Sequence, residues 1–406
     1  MKEKWRQLME KDGARTAAAS VISILIGLLV GCVIVVISGL ASSNMDGKSV
    51  WDGVRLVLGG ILSTGRDASG SLTFGFNPAN VGNMLFRATP LILTGLSVAV
   101  AFKTGLFNIG APGQYLMGTA ATLIVALSIP TSAVPSPVVW LLAFLAGILA
   151  GALWGAIPGL VKALLNINEV LACIMTNWIA ANLVTWIFDG SVWRNLEEYG
   201  KTNYIYKTSV NGVVTARAGL DALFPGSQVN WGIGVAVIIA ILVYVLMTKT
   251  TLGYELVACG SNRHAARYAG INDKRNIVLS MAIAGALSGA GAALYWLAGN
   301  TEFAWQTYQA LPATGFNGIP VALLASCSPI GCIFSGMFMA YLTISGSQLS
   351  TFTAYNEYIA NIIIAVIVYL SAFTLFFKGL MSAKKKTITV KSEVAKNKAG
   401  EEMKRK

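Results

Sequence analysis

Apolar residues run through this chain in long blocks, without the alternation or helical stripe of a soluble domain. Crossing about 30 Å of hydrocarbon as a helix takes about 20 such residues. Seven blocks approach or exceed that length, at 16–41, 138–161, 170–188, 231–247, 277–297, 330–350 and 359–377. Three more, at 88–102, 115–129 and 311–325, are short or broken by Gly and Pro. The pattern predicts an all-α polytopic transmembrane protein of about ten spans, with both termini on one side. The transmembrane region then covers 16–377, between a short arm at 1–15 and a Lys-rich tail at 378–406, which is expected to be disordered. Outer segments fall at 42–87, with an amphipathic helix near 51–62, and at 189–230.

Composition agrees. Of 406 residues, 55% are hydrophobic and 12% charged, against about 25% charged in soluble domains. That excludes disorder and an ordinary soluble enzyme. The net charge of +12 changes meaning once sorted by side. With cytoplasmic termini, 22 Lys/Arg fall inside and 8 outside, and the acidic residues divide nine and nine. The excess is the positive-inside pattern, not a nucleic-acid footprint. Trp186, Trp193, Trp231, Trp296 and Trp305 fall at outer span ends, as an aromatic belt does. The first block is too long for a signal-peptide core of 7–15 residues and reads as an uncleaved anchor.

Candidate chemistry is sparse. The five cysteines suggest no disulfide framework, and a single histidine, His264, makes a His-based zinc site improbable. No GxxxxGK[ST] sequence is present, so the chain has no P-loop of its own. There is no Ser-His-Asp or Cys-His set. The small-residue run ALSGAG at 286–291 reads as close helix packing. Ionisable residues are missing from most blocks, which argues against proton coupling.

Two interrupted regions carry weak mutual likeness, GLFNIG within 101–114 and GFNGIP within 313–329. Paired interruptions in two halves of a transporter point to a substrate path, because unwound backbone at membrane depth must be buried or line a cavity. The polar segment 249–276 is the strongest positive feature. Ser261 or Asn262 can cap a short helix running to about Ala269, with Gly270 as its stop. Such a helix sets Ala265, Ala266 and Ala269 on one smooth face for another protein.

Four stretches together, FKTGLFNIGAPGQ (102–114), NEVLACIMTNWIAANLV (168–184), TTLGYELVACGSNRHAARYAGI (250–271) and GFNGIPVALLASCSPIG (315–331), resemble the permease subunits of bacterial ABC importers. The branch is that of nucleosides and simple sugars, related to ribose and branched-chain amino-acid permeases. The resemblance implies two weakly related helical halves in a multi-pass cell-membrane protein with no cofactor or bound metal. It implies a separate ATP-binding subunit, a second related permease, and an extracytoplasmic substrate-binding lipoprotein. The docking helix for the ATPase would be Asn262, Arg263, His264, Ala265, Ala266, Arg267, Tyr268, Ala269 and Gly270, with Ala266 and Gly270 central. The path would be formed by Asn108, Gly110, Gln114, Glu169, Asn177, Gly315, Asn317, Gly318 and Pro320, since amides suit a neutral hydroxyl-rich ligand. The alternatives are a ribose-like sugar permease and a stand-alone secondary carrier.

Overall fold

The computed structural model describes residues 12–41, 46–201, 203–305 and 310–371. The Lys-rich tail, most of the basic arm and the end of the last apolar block lie outside the described residues. Each of the ten apolar blocks corresponds to a helix. These are α1 (Asp12–Ala41), α3 (Pro78–Lys103), α4 (Ala111–Ser128), α5 (Ser136–Leu165) and α6 (Glu169–Phe188), then α8 (Gly232–Lys249), α11 (Asp273–Trp296), α12 (Ala313–Leu324), α13 (Pro329–Phe352) and α14 (Glu357–Ser371). Between them lie α2 (Gly47–Gly59), α7 (Leu220–Leu223), α9 (Thr251–Ser261) and α10 (Arg263–Tyr268). Among the described residues, α1, α3, α5, α6, α8, α11 and α13 are long and apolar enough to cross a membrane. The protein is a polytopic helical membrane protein.

Its centre is α3, whose apolar part is buried almost all round, from Ala88 to Ala101. The helix α11 packs beside it and is nearly as enclosed, whereas α5, α6 and α8 keep broad exposed apolar faces. Hydrophobicity on all sides belongs to buried or membrane-embedded helices. The seam between α5 and α11 is made of glycine. A Cβ on Gly285 would collide with the Gly151 carbonyl, and one on Gly289 with that of Gly147. The small-residue reading of 286–291 corresponds to this close approach.

Two boundaries differ from the sequence reading. The helix α3 begins at Pro78, ten residues before the apolar run, so Arg87 lies inside a helix and not in an outer segment. Pro at the first position and an Asn77 side chain accepting from the Asn80 N–H start it there. The second difference is in α12. GFNGIP is helical, not unwound, and the chain breaks afterwards, at Ser326 and Cys327, both with positive φ. The likeness between GLFNIG and GFNGIP therefore pairs a real break with a continuous helix. The two glycines of α12 serve contact: a Cβ on Gly315 would sit 2.5 Å from Pro112 Cα, and one on Gly318 2.6 Å from the Thr94 carbonyl oxygen.

The long segment 189–230 straps the helix ends. The strands β3 (Tyr204–Ile205) and β4 (Phe303–Ala304), which follow a hairpin of β1 (Ser63–Arg66) and β2 (Leu72–Phe74), pair antiparallel. Asn211 Nδ2 donates to the Ala126 and Ile129 carbonyls at the end of α4, and the Thr215 N–H donates to Leu297 O at 2.8 Å. The helix α2 matches the expected amphipathic helix, burying Val50, Leu56 and Val57.

Candidate functional site

A cavity of about 850 Å³ opens between α3, α11, α12, α13 and α14, within the range of small-molecule sites. Its wall is mixed. Arg87, Tyr295, Thr314, Asn317, Thr343, Ser347, Ser350 and Asn361 supply polar groups; Pro90, Leu91, Phe316, Ile319, Pro320 and Ile364 supply apolar surface. Among the described residues, no carboxylate lines it. It lies at the end of the bundle opposite Lys103 and Lys249. Asn317 and Pro320 are the two expected path residues on its wall. Arg87 and Tyr295 were missed. The clue to Arg87 was the helix start signal at Asn77 and Pro78.

The other seven expected path residues sit elsewhere. The break between α3 and α4 spans residues 104–110 and is closed by a buried amide knot. Asn108 Nδ2 donates to Gln114 Oε1 at 2.9 Å, and Gln114 Nε2 donates back to Asn108 Oδ1 at 3.0 Å. Asn108 also donates to Ser97 Oγ of α3 and accepts from the Gly110 N–H. Asn177 of α6 accepts from the Gly113 N–H and donates to Ile109 O, both at 2.9 Å. Ser288 of α11 reaches Ser97 Oγ at 2.9 Å. Asn108, Gln114 and Asn177 are all at most 2% exposed. Their amides satisfy an unwound backbone that has no water to bond. In this structure they face that backbone and not the cavity. Asn108→Ala is expected to strand the Gln114 amide and cost about 1–3 kcal/mol, read as a lowered melting temperature in detergent, with substrate selectivity unchanged. Gly315 and Gly318 are contact positions, and Glu169 pairs with Lys162 at 3.0 Å; neither set reaches the cavity.

The polar segment 249–276 is two helices, not a loose connector. Thr250 caps α9 by accepting from the Gly253 N–H. Asn262 caps α10, its Oδ1 accepting from the His264 and Ala265 N–H groups at 3.1 and 3.0 Å. Gly270, at φ +82°, ends the turn, and the Ile271 N–H closes it onto Ala266 O. Asp273 holds α10 in place. Its Oδ2 accepts from Arg263 Nε at 2.5 Å and from Arg267 at 2.8 Å. Asp273 precedes the apolar stretch that begins at Ile277. The Arg267 hydrogen bond, with help from Arg263, holds its carboxyl at about 2.

Exposure divides the expected docking residues. His264, Ala265, Arg267, Tyr268, Ala269 and Gly270 are exposed, Tyr268 almost completely at 94%. Ala266 is the exception. It is buried at 4% against the chain itself, so the face available to another protein is centred on Ala265, Tyr268 and Ala269. Behind this helix, α9 meets the 104–110 break backbone to backbone. A Cβ on Gly260 would fall 2.6 Å from Lys103 O and 2.7 Å from Gly105 N. Thr104 Oγ1 also hydrogen-bonds Ser280 Oγ of α11.

A short exposed helix thus stands outside a helical bundle that holds a cavity of mixed polarity. The chain belongs to the family described as "Branched-chain amino acid transport system / permease component", whose model matches residues 80–372. It is similar to the nucleoside ABC transporter permease protein NupB of Lactococcus lactis subsp. cremoris (32% identical over 345 residues, 81% of this chain and 92% of the relative). It is also similar to the guanosine ABC transporter permease protein NupP of Bacillus subtilis (31% over 366 residues, 90% and 95%). The glucose ABC transporter permease protein TsgB13 of Haloferax volcanii matches at 32% over 302 residues, 73% and 76%. The chain is thus a membrane-embedded permease component of an ABC importer.

Proposed function

We propose that this permease carries nucleosides, that the cavity beside α12 is part of their path, and that α10 is the docking point of a separate ATP-hydrolysing subunit. The observation that carries the docking reading is the exposed α10, capped by Asn262 and clamped on Asp273. The positive-inside pattern puts that end of the bundle in the cytoplasm, where ATP is. A second permease of the same family completes the pore, and an extracytoplasmic binding protein delivers substrate. Nucleotide binding then biases a two-state rocking of the pair, which needs no covalent chemistry on the substrate. Apart from Arg87, the hydroxyls and amides of the wall suit an uncharged ligand with many hydrogen-bonding groups. The names of NupB and NupP support a nucleoside; the glucose permease supports a simple sugar as the second reading.

Tyr268→Asp and Ala269→Glu place a carboxylate in the docking face, where it is buried without a partner. Each is expected to abolish ATP-driven uptake of labelled guanosine and co-purification of the ATPase, with an unchanged gel-filtration profile of the permease. Normal uptake by both variants would overturn the docking assignment.

A further inference from the structure

The cavity has one ionisable group of fixed charge on its wall. Arg87 sits there ten positions into α3, on the side of the hydroxyls of Thr343, Ser347 and Ser350 and the amides of Asn317 and Asn361. Among the described residues it makes no ion pair or hydrogen bond, and no carboxylate shares the cavity with it. The Tyr295 ring is held flat by stacking on Phe86, with centroids 5.3 Å apart and an interplanar angle of 20°, and Trp296 meets it edge-on at 5.0 Å. Arg87 is exposed and stands one residue before the apolar run, so its guanidinium is open to a ligand in the cavity.

A guanidinium offers two parallel N–H donors in a rigid fork. The ligand edge that fits this fork carries two adjacent acceptors. A 6-oxopurine has that edge, O6 beside N7, whereas adenine opposes one of the donors with its own amino group. Pyrimidine bases have no N7. We propose that Arg87 is a specificity-determining residue that selects 6-oxopurine nucleosides, guanosine and inosine, over adenosine and pyrimidine nucleosides. The supported ring of Tyr295 forms the wall for the base, and the amides and hydroxyls meet the ribose. This proposal rests on the nucleoside reading above.

The test is equilibrium dialysis of the solubilised permease–ATPase complex, without its binding protein, against labelled guanosine, inosine, adenosine and cytidine. The wild type is expected to bind guanosine and inosine about 10-fold more tightly than the other two, the discrimination of one good bidentate contact. Arg87→Gln is expected to erase that difference while leaving adenosine binding within about 2-fold, and Arg87→Lys, a single-point donor, to restore it in part. Equal binding of all four by the wild type, a preference that survives in Arg87→Gln, or a parallel loss of all four would overturn the proposal. Uptake by the complete importer separates the two readings. Nucleoside uptake without selective binding overturns the role of Arg87 alone. Absence of both binding and uptake of any nucleoside overturns the nucleoside reading with it.

Discussion

Gly285→Val is expected to leave little folded permease. The Cβ would meet the Gly151 carbonyl inside van der Waals contact, with Gly155 Cα at 3.0 Å beside it. Overpacking costs about 1–3 kcal/mol where side chains can yield. Here the obstacle is backbone, so α5 and α11 must part along their seam, and the loss should match or exceed the upper figure. The yield of monodisperse protein in detergent should fall at least several-fold, and Gly285→Ala should show a smaller loss. A valine variant that purifies and melts like the parent would mean that the seam is looser than it looks.

The second large effect concerns transport. Gly260→Val in α9 pushes against Lys103 and Gly105 across a contact with no side chain to move aside. The expected result is a permease that still inserts and still co-purifies with the ATPase, because α10 and its Asp273 clamp are untouched. Uptake should drop by 10-fold or more, with ATP hydrolysis no longer stimulated by loaded binding protein. Full uptake would show that the contact between α9 and the 104–110 break transmits nothing.

Much of the fold was legible in the sequence because burial in a membrane demands length. Ten apolar blocks gave ten helices, and a cap at Ser261 or Asn262 with a stop at Gly270 was readable from chemistry alone, the structure choosing Asn262. Where the structure and the sequence reading part, the reason is shared: a residue type with two uses looks the same in either. Gly315 and Gly318 were read as breaks, yet they let α12 touch Pro112 and Thr94. The actual break uses Ser326 and Cys327, which carry no left-handed signal in sequence. Asn108, Gln114 and Asn177 were read as ligand donors because amides bind sugars, but amides also satisfy unwound backbone, and here they do. Ala266 was placed outward by its spacing with Ala265 and Ala269, though nothing in a six-residue helix says which way it turns. Arg87 escaped notice because the apolar run starts one residue later, while the helix starts at Pro78.

The glycine seam has a mechanical meaning. Two helices in backbone contact have no side-chain layer that can slip, so α5 and α11 behave as one beam. At 1.5 Å per residue, the 24 residues of α11 make a lever of about 36 Å. One end carries Asp273, which grips α10; the other carries Tyr295 at the cavity wall. A tilt given to the first is, without any relay between them, a tilt of the second.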